Sequence, residues 1–228
     1  MNDYIDKEFC IEVWGDWACF TRPEMKIERV SYDVITPSAA RAIFEAIFWK
    51  PAIRWQITRI EVLNPIKFTS IKRNEVGALA SKNKSHIFIE EKRQQKSGLI
   101  LKDVHYRLFG KLVYIPVSKR TRSSTKQDVL NDENPAKYNA IFQRRAENGQ
   151  CFSQPYLGTR EFSAYFKLIT EPGNGALKTP INETKDFGFM LYDMDFTNSK
   201  DPQALFYRPT MQNGIINVPS IDSEEVLK

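Results

Sequence analysis

Two short helices, each opened by a capping residue and a proline, stand in a chain whose other apolar stretches have strand period. That alternation limits the fold more than any other feature. In "TPSAARAIFEAIFWKP", Thr36 suits the cap and Pro37 the first turn. Ala40, Ile43, Phe44 and Ile47 recur at helical spacing, so the sequence predicts a helix over 36–49. In "NPAKYNAIFQRRAENG", Asn134 and Pro135 play the same parts, Tyr138, Ile141 and Phe142 make the apolar stripe, and Asn148-Gly149 ends it. Strand patterns surround them. "EFCIEVWGDWACF" puts Phe9, Ile11 and Val13 on one face, and "IRWQITRIEVLNPIKF" is β-branched and aromatic. "DVHYRLFGKLVYIPV" aligns Val104, Tyr106, Leu108, Leu112 and Tyr114, and "QPYLGTREFSAYFKLI" is the fourth strand-like segment. The order strand, helix, strand, strand, helix, strand predicts an α+β class: a ferredoxin-like (RRM-like) domain, an antiparallel sheet with its helices on one face.

The pattern changes after "EPGNG". Short strands follow in "DFGFMLYDMDF", "QALFYRP" and "IINVP", with Asn213-Gly214 at a hairpin turn. The expected division is a main domain over 1–170 and a small C-terminal antiparallel β-sheet domain over 171–228. "SHIFIEEKRQQKSGLIL" fits either a basic hairpin or a mobile excursion.

The formal net charge of +5 conceals an uneven distribution. Residues 67–126 hold 15 basic and 4 acidic side chains, an excess of 11, whereas residues 171–228 hold 5 basic and 9 acidic. A basic block of this size is either a solvated surface or a groove for phosphates. The chain has no GxxxxGK[ST], GxGxxG or HExxH motif and only two histidines, which disfavours a P-loop or a histidine-based metal site. Asp193 and Asp195 read as a wet strand face, so no metal is expected. Three cysteines without a CxxC pair, acids where a signal peptide carries lysines, and no long apolar run predict a cytoplasmic protein without a membrane partner.

Lysine, arginine and aromatic rings remain as candidates. Lys137 and Arg144 share one face of the second helix, and Tyr138 and Arg145 the neighbouring one. Either the helix has a basic rim or it sets a phosphate clamp beside a phenol. Phe48, Trp49 and Lys50 close the first helix, either as core and cap or as a surface where rings and a cation meet a ligand. Lys119, Arg120 and Arg122, in "SKRTRSSTKQ", are expected to track phosphates.

Taken in order, "FCIEVWGDWACFTRPEMKIERVSYDVITPSAARAIFEAIFWKP", "LKDVHY", "NPAKYNAIFQRR" and "YLGTREF" resemble the fifth family of CRISPR-associated proteins in its type I-C (Dvulg) form, a branch of the RAMP superfamily. The likeness covers roughly the first 170 residues. It implies a metal-independent endoribonuclease without a cofactor that cuts the repeats of precursor CRISPR RNA. The enzyme would then stay on the 5′ handle as a subunit of the interference complex. The implied partners are the repeat RNA, the other subunits, and target DNA as a further partner within the complex. The alternative is a non-catalytic subunit that binds the RNA handle. The family's catalytic set is a tyrosine in an "IYWKP"-like segment and a lysine followed by histidine at the start of the second helix. In this sequence those positions are Phe48, Lys137 and Tyr138, so the resemblance places catalysis at Lys137 and Tyr138.

Overall fold

Strand β1 (Glu8–Ala18) turns Phe9, Ile11 and Val13 into the core, as their alternation requires. The computed structural model describes residues 6–25, 27–79, 81–82, 86–116, 120, 134–171, 177–198 and 200–228. Helix α1 (Pro37–Ile47) follows. Thr36 Oγ1 accepts from the backbone N–H of Ala39 at 3.2 Å, and Ala40, Ile43, Phe44 and Ile47 are buried. Strands β2 (Ile53–Val62), β3 (Phe68–Val76) and β4 (Arg93–Tyr114) come next, with a single helical turn at Ile89–Lys92. Helix α2 (Pro135–Glu147) is capped by Asn134 and buries Tyr138, Phe142 and Ala146. Strand β5 (Tyr165–Ile169) closes the unit.

With β10 (Ile215–Asn217) at one edge, the main sheet runs β10-β2-β4-β1-β5, every pairing antiparallel, and β3 pairs with β4 beyond that path. Without β3 and β10, the strands of the βαββαβ unit lie in the order fourth, first, third, second. This is the ferredoxin-like arrangement that the element order predicts. Both helices meet one face of the sheet through a knot of rings. Phe142 lies 4.5 Å from Trp55, 4.7 Å from Phe9 and 5.7 Å from Phe44, centroid to centroid. Rings in such contact contribute about 0.5–1.5 kcal/mol per pair beyond their buried area. Gly110 on β4 makes this approach possible, because a Cβ there would stand 2.8 Å from Phe44 Cζ.

Three expectations change in the structure. β4 is one strand of 22 residues, and its first half pairs with β3 from Val76↔Arg93 to Phe68↔Leu101, which decides for a hairpin over 68–101. Of "QPYLGTREFSAYFKLI" only Tyr165–Ile169 is strand. Before it Gly158 turns the chain at φ +86°, where a Cβ would lie 2.0 Å from the Cys19 carbonyl oxygen. The tail does not form one appended sheet. β6 (Lys185–Asp186) pairs with β9 (Thr210–Met211), β7 (Met190–Asp195) pairs with β8 (Gln203–Tyr207), and β10 (Ile215–Asn217) joins the main sheet on β2. The Asn213-Gly214 turn is present, both residues at positive φ. Phe187, Met190, Tyr192, Leu205, Tyr207, Met211 and Ile216 belong to the same core as Phe9 and Phe44. Among the described residues no helix is long and apolar enough to cross a membrane.

Candidate nucleic-acid interface

The C-terminus of α1 and the first turn of α2 meet through side chains that sequence periodicity places on adjoining faces. Phe48 leaves the helix in extended conformation, φ −156° and ψ 124°, while its N–H still donates to the Phe44 carbonyl. Its own carbonyl accepts from Trp55 Nε1 at 2.9 Å. The ring, 1% exposed, lies 6.3 Å from the Tyr138 ring, and Tyr138, also 1% exposed, lies 6.4 Å from Tyr114 in a stacked arrangement. Cations close both ends of this column. Arg145 stands 5.3 Å above Phe48 and donates to the Ile47 carbonyl at 3.1 Å. Arg120 stands 5.6 Å from Tyr114, donating to its hydroxyl at 3.2 Å and to the Ile115 carbonyl at 2.9 Å. The order of the column is Arg120, Tyr114, Tyr138, Phe48, Arg145.

This geometry corrects several expectations. Phe48 is core and cannot stack an RNA base, because its ring faces Tyr138 and Arg145 beneath the surface. Tyr138 is likewise buried, so its phenol does not line an open cleft; turning the ring inward completes the α2 stripe with Phe142. Arg145 satisfies a carbonyl at the α1 C-terminus, where a cation also meets the negative end of the helix dipole. Arg120 closes the end of β4. Lys119 and Arg122 lie outside the described residues.

The exposed members are Trp49, Lys50, Lys137 and Arg144. Lys137 is in the first turn of α2 beside the anchored Tyr138, and Arg144 is two turns on. Lys50 opens the turn into β2, its carbonyl accepting from Ile53 at 3.0 Å. These groups supply positive charge, hydrogen-bond donors and one indole face, and no carboxylate or imidazole. Phe152, which sequence reading missed, is 85% exposed and lines a cleft with Trp49. A lone ring in the polar loop "NGQCFSQP" was the available signal.

The opposite face of the sheet holds much of the remaining charge. Arg107, 3% exposed, donates to Glu61 at 2.6 Å and to the Lys178 carbonyl at 2.8 Å, with Glu12 at 3.7 Å. His105 Nε2 lies 2.8 Å from Glu12. Burial lowers its pKa below the usual histidine range against the raising effect of that carboxylate. Burial also pushes the Cys10 thiol up to about 12. Part of the basic excess is therefore internal pairing, as Glu75 with Lys96 at 2.9 Å on the β3–β4 hairpin also illustrates. Among the described residues no three His, Cys, Asp or Glu side chains group closely enough to hold a metal.

The sequence model of a family described as CRISPR-associated protein (Cas_Cas5) matches residues 9–219. A relative from Mannheimia succiniciproducens, named CRISPR pre-crRNA endoribonuclease Cas5d, is 45% identical over 232 residues, spanning 95% of this chain and 96% of that one. A protein of the same name from Thermus thermophilus is 42% identical over 201 residues, spanning 87% and 79%. Among solved structures, a CRISPR-associated protein superposes with a TM-score of 0.70 at 23% identity over 99% of this chain and 98% of that one. A chain of a CRISPR RNA-guided surveillance complex does so with 0.50 at 12% identity, over 94% and 90%. The two structural likenesses concern the fold alone.

Proposed function

Since this chain belongs to the Cas5 family of CRISPR-associated proteins, in its type I-C form, we propose that it is a precursor CRISPR RNA endoribonuclease. It cuts the repeats and keeps the 5′ handle of its product as a subunit of the interference complex. The observation that carries this reading is Lys137, exposed in the first turn of α2 and held by the buried Tyr138 beside it. The partners are the repeat RNA and the other subunits, with target DNA as a further partner in the complex, and the location is cytoplasmic.

The reaction is attack of a 2′-hydroxyl oxygen on the adjacent phosphorus. The O2′–P bond forms, the P–O5′ bond breaks, the 2′ proton leaves to solvent or base, and O5′ takes up a proton. A 2′,3′-cyclic phosphate results. The chain's exposed groups favour this route through charge: the Lys137 ammonium suits the non-bridging oxygens, where negative charge grows toward the transition state. Arg144 and Lys50 suit the flanking phosphates. Tyr138 is a positioning residue in this reading, because its ring locks the turn that carries Lys137.

One observation favours a second reading. Phe48 and Tyr138 occupy two of the three positions that the family uses for catalysis, and both are buried without an acid or base at the surface. A subunit that binds the handle and does not cut it fits that fact. Purified protein incubated with its own repeat RNA in a chelator separates the two readings on a denaturing gel. We expect one discrete cut with a 2′,3′-cyclic phosphate end. A 3′-hydroxyl end or strict dependence on magnesium overturns the proposed chemistry, and intact, tightly bound RNA establishes the second reading.

A further inference from the structure

The cleft between Trp49 and Phe152 has the properties of a slot for one unstacked base. Its volume is about 320 Å³, its floor is formed by Ala42 and Ala46 of α1, and Ser153 and Tyr156 add polar edges. The loop carrying Phe152 is fastened to the helix, since the N–H groups of Phe152 and Ser153 donate to the Ala46 carbonyl at 2.8 and 3.2 Å. The walls are therefore on anchored backbone. Trp49 is 46% exposed and Phe152 85% exposed, so two large rings face water beside small residues. Glu45 also lines the cleft, and Arg41 donates to its carboxylate at 2.7 Å and to both oxygens of Asp193 at 2.8 and 3.0 Å; the trio keeps one net negative charge, which suits a neutral base at the rings with its phosphates kept toward the lysines.

We propose that this slot receives a single nucleobase from the RNA strand whose phosphates lie along Lys50 and Lys137. Charge and position favour this occupant. Lys50 follows Trp49 directly, and Trp49 in turn follows Phe48, whose ring touches Tyr138 next to Lys137. The backbone of a single strand can thus run over cations while one base turns aside onto the rings, and such stacking is sequence-tolerant until the slot's polar edge reads the base. The slot explains why Trp49 points outward at a helix end where its neighbour Phe48 points inward. It rests on the RNA-processing reading above and adds to it the place where one repeat nucleotide is held.

The test measures binding of the protein's own repeat RNA by fluorescence anisotropy. Wild type, Trp49→Ala, Trp49→Phe and Phe152→Ala are compared, alongside a series of RNAs each lacking one base. Removing a stacking ring should weaken binding roughly tenfold or more, with Trp49→Phe retaining most affinity. One abasic position should show a similar loss in wild type and none in Trp49→Ala, because base and ring then act as one pair. If both alanine variants bind as wild type while wild type still cuts, the slot is refuted and the function reading stands. If the variants bind RNA normally but no longer join the other subunits, the cleft takes a protein side chain and the proposal is also refuted. If wild type neither binds nor cuts its repeat, both readings fall together.

Discussion

At the scale of single residues, Lys137 and Phe48 separate charge from packing. If the ammonium stabilises charge developing at phosphorus, Lys137→Ala should slow single-turnover cleavage by about 10²-fold or more while RNA affinity changes far less. Lys137→Arg should recover little, since a planar fork does not replace a compact ammonium. A parallel fall in affinity and rate would reduce Lys137 to a binding residue. Phe48→Tyr tests the buried column. Its new hydroxyl would enter a site 1% exposed beside Tyr138 and Arg145, so urea midpoints should show a loss of roughly 1–3 kcal/mol and the rate should not rise. A faster enzyme would mean that position 48 reaches the RNA after all. Lys137 could be named from sequence because the lysine is the one member of the family's catalytic set that this chain keeps, Phe48 and Tyr138 standing at the other two positions. The burial of Tyr138 was half legible, since it stands in the apolar stripe, but a phenol at that position also fits a surface site.

At the scale of elements, the two helices are joined end to end by Arg145, whose guanidinium reaches the Ile47 carbonyl and covers Phe48. Arg145→Ala should cost about 1 kcal/mol or more in urea unfolding, and Arg145→Lys should retain part of it, because a cation near the helix C-terminus survives. An unchanged midpoint would remove the clamp. On the other sheet face, His105 has a native pKa below its unfolded value, so the unfolded chain binds more protons as pH falls through about 6.5. Stability should decline from there toward the lowered native pKa and level off beneath it. His105→Gln should flatten that part of the pH profile, and a profile unchanged by the substitution would assign the loss to other groups. Neither link was readable from spacing alone: it required knowing that residue 145 meets residue 47, and residue 105 meets residue 12, across the fold.

For the whole molecule, the tail decides how the chain unfolds. β10 adds a strand to β2, and the core that begins at Phe9 includes Met190, Tyr207 and Ile216. Calorimetry should therefore record one cooperative transition, with calorimetric and van't Hoff enthalpies in agreement. Two resolved transitions would restore an independent unit after residue 170. Removing residues 171–228 should leave the β2 edge and the apolar side of the core in water, and the truncated chain should aggregate.

What the sequence alone determined is what local rules control. Caps and prolines located both helices, alternation located the faces of β1 and β4, and the order of elements named the sheet's connectivity, because each depends on neighbours within a few residues. The family resemblance came from motifs that also keep their order. Tertiary structure alone decided where Phe48, Tyr138, Arg120 and Arg145 point, which basic residues are internal partners of Glu12, Glu61 and Glu75, and that β10 completes the main sheet. The physical reason is common to all three. A side chain's exposure and a charge's availability are set by what packs against it from distant sequence, and periodicity specifies a face without specifying what will cover it.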